Sequence, residues 1–191
     1  MGIAAQNFIS TLSLFSNILC IQEHFLLDSK SKNHSNTDKL RKLFNDKYDM
    51  FVTPAFKELS QVSKGRGKGG LATLWNKNLT KYVSQFECTS FCLQATKFDF
   101  PSGSLLILNT YFLCDPRTNT FNEDELLQLL EEINNTMTSQ GCLFNLVLGD
   151  LNCHIARNTH FTNIIEQFLM ISTCLYFGKI LMKMMVIILR Q

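Results

Sequence analysis

The 191-residue chain is 46% hydrophobic and 18% charged, which excludes a disordered polypeptide and allows one domain with a real buried core, rich in aromatic area from sixteen Phe. A net charge of +2 excludes bulk attraction to nucleic acid, so any basic surface has to be local. Seven cysteines (20, 88, 92, 114, 142, 153, 174) form no CxxC pair and no zinc-finger spacing, and read as small buried hydrophobes in a reducing compartment.

In chain order, residues 5–16 form a predicted helix with Phe8, Ile9, Leu12 and Phe15 near one face, broken at Asn17. Ile18-Leu19-Cys20-Ile21 reads as a short buried strand whose end delivers Gln22 and Glu23. Residues 29–38 are polar and loop-like; Leu40, Leu43 and Phe44 suggest a short helix, and 50–53 a short strand. Ser63-Lys64-Gly65-Arg66-Gly67-Lys68-Gly69-Gly70 is a flexible basic loop leading into a strand over 71–75. The stretch 81–112 has the character of a β-meander, with a turn at Pro101-Ser102-Gly103 and a strongly apolar last strand over 105–112. Asn122 and Glu125 form a capping box for a helix whose apolar face is Leu126, Leu127, Leu130, Ile133 and Met137. Another buried strand over 143–148 ends at Gly149-Asp150-Leu151-Asn152, and Phe161, Ile164, Ile165, Phe168 and Leu169 then follow amphipathic helical spacing. From 168 to 189 the chain is mostly apolar, but Lys179 and Lys183 make a membrane span costly, so no membrane partner is expected.

Two acids stand directly after apolar strands, Glu23 and Asp150. That placement fixes a carboxylate at the rim of a sheet, as a metal site requires. Mg²⁺ prefers oxygen donors and keeps several waters, so one or two protein carboxylates suffice. Asn152, two residues past Asp150, presents an amide to the same rim if the backbone stays extended. A single acid at a strand end is more often a solvated cap than a ligand, so spacing alone leaves both readings open.

The segments Ile18-Leu19-Cys20-Ile21-Gln22-Glu23-His24, Gly69-Gly70-Leu71-Ala72-Thr73-Leu74-Trp75, Leu106-Ile107-Leu108-Asn109-Thr110-Tyr111 and Leu146-Val147-Leu148-Gly149-Asp150-Leu151-Asn152 occur in this order. Together they resemble the endonuclease/exonuclease/phosphatase superfamily, most closely the apurinic-endonuclease-like domain of non-LTR (LINE-type) retrotransposons. Cys114-Asp115-Pro116-Arg117-Thr118-Asn119 and Arg157-Asn158-Thr159 strengthen the retroelement version, and the likeness covers roughly residues 5–169.

The resemblance implies an α/β (α+β) four-layer sandwich, two mainly antiparallel sheets face to face with helices outside, incomplete in its C-terminal half. It implies that Glu23 binds Mg²⁺ (or Mn²⁺), that Asp150 orients or activates the attacking water, and that Asn152 and Tyr111 contact the scissile phosphate. The expected reaction is Mg²⁺-dependent nicking of DNA, in the nucleus if the chain works as a retroelement endonuclease. Departures set an expectation of weak or no activity. The family's opening strand with its active-site Asn has no match, Asn7 lying in a predicted helix, and neither has its closing Ser-Asp-His motif. The position after Tyr111 where relatives often place another Asn is taken by the neighbourhood of Cys114. The expected division is a partial domain truncated at both ends over 1–170 and a divergent apolar tail over 171–191, as a frameshift or wrong exon junction would produce. Alternatives from other classes are a non-catalytic remnant that binds nucleic acid, an unstable product of a degenerate element, and a phosphatase acting on phosphoinositide or lipid head groups.

Among other candidates, His24 is expected to serve packing or the substrate rim, because adjacent strand residues point to opposite faces. His154 and His160 read as surface or helix-start residues. Phe86, Phe91, Phe98 and Phe100 read as core rather than base-stacking platforms. The Lys64/Arg66/Lys68 loop is read equally as a phosphate grip or as solvated chain.

Overall fold

Five consecutive residues, Ile18–Gln22, are buried on both faces, which only a strand of an inner layer achieves. In the computed structural model, which describes residues 11–27, 36–44, 46–55, 69–112, 123–150 and 160–171, this strand is β1. It pairs antiparallel with β3 (Leu71–Asn76), which also pairs antiparallel with β2 (Tyr48–Thr53), giving a sheet of order β1-β3-β2. A second sheet runs β4-β5-β6-β7, from β4 (Val83–Phe86), β5 (Leu93–Phe100), β6 (Gly103–Tyr111) and β7 (Phe144–Asp150). Its pairs are antiparallel except β6–β7, whose parallel register requires a crossover; helix α2 (Glu123–Gln140) lies in that connection. Helix α1 (Asn36–Phe44) precedes β2, and α3 (His160–Ile171) follows β7.

The period of two along each strand sorts its side chains into three cores, and these define four layers. Leu19, Ile21, Ala72 and Leu74 face outward to Leu40 and Phe44 of α1. Leu93, Ala95, Leu106 and Leu108 face the opposite way, to Leu126, Leu130 and Ile133 of α2 and Ile165 of α3. Between the sheets lie Ile18, Cys20, Trp75, Phe98, Ile107 and Leu148. Phe98 is fully buried there, stacked on Phe100 (5.9 Å between centroids) and edge-on to Trp75 (6.4 Å).

Three local readings are corrected. Asn36, Thr37 and Asp38, read as loop, open α1, with Asp38 suited to the positive end of its dipole. The apolar stripe of α2 includes Leu129 in place of Leu127, which is 46% exposed. Leu126, Leu129, Leu130, Ile133 and Met137 stand at i, i+3, i+4, i+7 and i+11, whereas Leu127 is about 100° round the helix from Leu126. Phe91, in the turn before β5, is 45% exposed while Phe98 is buried and Phe86 and Phe100 are partly so. The expected meander is present from β4 to β6, entered through a 3-10 helix (Lys77–Tyr82) that Asn76 caps by accepting from the Asn78 amide. Most of the predicted helix over 5–16, the basic loop to Lys68, the Cys114–Asn119 stretch and the tail from 172 lie outside the described residues. No helix among the described residues is long and apolar enough to cross a membrane.

Truncating Phe98 removes a ring in contact with Trp75 and Phe100 inside the cluster between the sheets. Phe98→Ala is expected to lower unfolding stability by about 3–5 kcal/mol, read as a shift of the urea midpoint with unchanged slope.

Candidate active site

β1 stops at Gln22 because the next residue leaves the strand conformation: Glu23 has φ +53° and Phe25 φ +59°. Left-handed backbone at a non-glycine residue costs of order 1–3 kcal/mol and persists only where the surroundings hold it. Here the holding groups can be named. The His24 and Phe25 amides donate to the carbonyls of Gly70 (3.4 Å) and Gly69 (3.0 Å), and the Leu26 amide donates to His24 Nδ1 (3.0 Å). Since Nδ1 accepts, the ring proton sits on Nε2, which donates to the Thr53 carbonyl at 3.1 Å. His24 is 2% exposed, and a Cβ at Gly70 would lie 2.5–2.9 Å from three of its ring atoms, at a φ of +94° that disfavours any side chain as well. The glycine pair entering β3 is therefore room for His24.

His24 thus has the packing role read from sequence, but strand alternation is not the reason, because the strand has already ended. The turn leaves Glu23 half-buried at the rim, where the hydroxyl of Tyr111, on the last residue of β6, donates to Glu23 Oε1 at 2.6 Å. Tyr111 is also the register partner of Asp150, the last residue of β7, across a strand spacing of about 4.7–4.9 Å. Close approach of the two strands has its own requirement: a Cβ on Gly149 would fall 1.8 Å from the Thr110 carbonyl oxygen. The Phe112 amide donates to the Asp150 carbonyl (3.0 Å), so the backbone carrying the acid is fixed. Glu23, Tyr111 and Asp150 are therefore gathered at one end of the sandwich by the ends of three strands from two sheets. Asn152, His154 and Arg157 lie outside the described residues, as does the His160 side chain.

Beneath the rim lies a group that sequence reading passed over. Gln22 Nε2 donates to Asn109 Oδ1 (2.6 Å), Asn109 Nδ2 lies 3.2 Å from the Ala72 carbonyl and 3.4 Å from Thr73 Oγ1, and Thr73 Oγ1 donates to Gln94 Oε1 (2.7 Å). Gln94 Nε2 donates to Thr53 Oγ1 at 3.0 Å and to the Phe51 carbonyl at 3.2 Å. The chain of bonds crosses between the sheets, and Thr73, Gln94 and Asn109 are wholly buried. The signal was a polar residue interrupting an apolar strand, as in Leu-Ile-Leu-Asn109 and Leu93-Gln94-Ala95.

The donors at this rim among the described residues are oxygen only, two half-buried carboxylates and a phenol, which suits a hard cation such as Mg²⁺ better than zinc. Among the described residues no three His, Cys, Asp or Glu side chains cluster as a fuller metal cage, and Mg²⁺ asks for only one or two carboxylates. Burial pushes the Cys20 and Cys92 thiols up to about 12, and burial with the nearby Glu132 carboxylate pushes half-buried Cys88 up to about 11, which favours the protonated thiol at all three.

Solved structures share this architecture. The human Nocturnin catalytic domain, determined with a bound sulfate anion, superposes with a TM-score of 0.56 at 15% identity, over 84% of this chain and 59% of that one. TDP2 from C. elegans (TM-score 0.49, 14% identity, 82% and 44% of the two chains) and the AP endonuclease LMAP from Leishmania major (0.47, 15%, 70% and 43%) are also similar. The chain accordingly has the endonuclease/exonuclease/phosphatase-type fold, two mostly antiparallel sheets flanked by helices. It spans between 43% and 59% of the length of these three structures. No family model matches the sequence, and no curated protein does.

Burial, opposed by hydrogen bonds to the backbone of Thr53 and Leu71, holds the His24 pKa below its ordinary value of 6.5. The unfolded chain then binds the proton more readily, so His24 contributes stability above pH 6.5 that is lost as the pH falls through the lower folded value. The urea midpoint is expected to drop between pH 7 and pH 5, and His24→Gln is expected to flatten that dependence.

Proposed function

We propose that this chain is a divalent-metal-dependent phosphodiesterase domain whose substrate is DNA, with Mg²⁺ or Mn²⁺ as the cation, of the kind found in LINE-type retrotransposons. The observation that supports it most directly is the Glu23–Tyr111 hydrogen bond, with Asp150 the register partner of Tyr111, at one rim of an endonuclease/exonuclease/phosphatase-type fold. The Cys114–Asn119 stretch and the retroelement-like spacing of the motifs favour DNA over a lipid head group.

In this reading Glu23 holds the cation, and Asp150, the register partner of Tyr111, stands at the same rim. A bound Mg²⁺ would supply Lewis-acid stabilisation of the charge that develops on the phosphoryl oxygens. Asp150 orients the attacking water and accepts its proton. Tyr111 has a single hydroxyl proton, committed to Glu23, so it keeps the carboxylate in place until a phosphate oxygen competes for that proton. Asn152 donates to the phosphate from the segment after β7. His24 is turned into the core with both ring nitrogens hydrogen-bonded and takes no part in the proton transfer. The sequence has no match to the family's Ser-Asp-His motif, and a second positioned acid–base group is typically worth about 10²–10⁴-fold, so turnover is expected to be slow.

Supercoiled plasmid nicking tests this. Slow Mg²⁺-dependent nicking is expected, falling by about 10²-fold or more in both Glu23→Ala and Asp150→Ala. Nicking that persists equally in both variants or in EDTA would refute the assignment. Folded protein that binds DNA in a salt-dependent way without nicking would instead support a non-catalytic binding role.

A further inference from the structure

The space between the two sheets changes character along its length. At one end it is dry, filled by Ile18, Trp75, Phe98, Ile107 and Leu148; at the rim end it is filled by Gln22, Asn109, Thr73 and Gln94. Apolar groups of similar shape would fill this end as well, because replacing both partners of a buried hydrogen bond can be nearly neutral for stability. What the amides add is direction. Asn109 Nδ2 faces the Ile21 and Ala72 carbonyls, which only accept, so Oδ1 must face Gln22, and Gln22 must present Nε2. Gln94 Nε2 likewise faces the Phe51 and Leu71 carbonyls, so Oε1 faces Thr73, whose hydroxyl must donate. Every member has one allowed orientation, fixed by backbone carbonyls of β1, β2 and β3.

The relay also lies in register with the rim. Gln22 immediately precedes Glu23, and Asn109 stands two residues before Tyr111 on the same face of β6. Gln22–Asn109 and Glu23–Tyr111 are thus successive links between the same two strands across the sandwich. Glu23 is in left-handed backbone, so a pull from Gln22 on its N-terminal side and the His24 anchor on its C-terminal side decide where its carboxylate points.

We infer that the buried relay Gln22–Asn109–Thr73–Gln94 is the positioning device of the site: it sets the Glu23 carboxylate for a divalent cation, and Gln22, Asn109 and Thr73 are positioning residues acting through Glu23. The inference rests on the metal role proposed for Glu23.

The test uses Mn²⁺ as the probe, titrated into the full chain and followed by the EPR signal of the free ion. Thr73→Val and Gln22→Met are expected to weaken Mn²⁺ binding by about 10–100-fold, the range for groups that orient a ligand. Thr73→Ser, which keeps the hydroxyl, is expected to restore it. Ile107→Val, in the dry half of the same layer, lowers the thermal midpoint and leaves Mn²⁺ affinity unchanged. If Asn109→Leu fails to fold, Thr73→Val and Gln22→Met still decide. Wild-type affinity in both of them, with binding lost in Glu23→Ala, overturns the positioning role and leaves the metal role standing. Mn²⁺ binding that does not depend on Glu23 overturns both.

Discussion

Asn109 can satisfy its amide only by donating to carbonyls of the opposite sheet and accepting from Gln22. That constraint ties two independently paired sheets into one register, because a slip of one residue along β6 would turn Asn109 toward α2 and strip Gln22 Nε2 of its acceptor. Everything at the rim inherits this alignment. Tyr111 reaches Glu23 because Asn109 has already reached Gln22 one step below, and Asp150 is adjacent because β7 follows β6 in parallel register from Leu105 to Tyr111.

The rim also shows how a tight site uses backbone that a plain strand would not. Glu23 is held at positive φ by two carbonyls of the Gly69–Gly70 segment and by the imidazole of His24, whose ring occupies the volume a side chain at residue 70 would need. The Gly69–Gly70 segment and the acidic rim are thereby linked through one buried histidine, which acts as an anchor. A carboxylate so fixed gives up little conformational freedom on meeting a cation, which is the physical advantage of storing strain at such a position.

The single unpaired feature of the relay fits the same picture. Gln22 Oε1 is buried and has no hydrogen-bond partner among the described residues, a condition that costs about 1–3 kcal/mol. Its orientation is forced, since turning the amide would set Gln22 Oε1 against Asn109 Oδ1. The fold therefore accepts one unsatisfied acceptor beside Glu23 to keep the relay pointing one way.

The sequence by itself determined the inner strands and the core-facing helix stripe, while the four-layer arrangement was implied only by resemblance. Runs such as Ile18–Ile21 and Leu105–Leu108 can only be inner strands, and the 3.6-residue spacing of Leu126, Leu130 and Ile133 can only face a core, because burying apolar area follows local periodicity. It also marked Glu23 and Asp150 as residues directly after strands, whereas Tyr111, read inside the strand over 105–112, and the roles of all three came from resemblance to known enzymes. Their meeting was a different matter, since Glu23 and Tyr111 are 88 residues apart and the hydrogen bond between them exists only once two sheets are stacked. The positive φ of Glu23, the packing of His24 against Gly70 and the inward relay through Gln22, Asn109, Thr73 and Gln94 were likewise tertiary decisions. A polar residue in an apolar strand signals a buried partner, but which partner it finds depends on the register between sheets, and no local pattern encodes that.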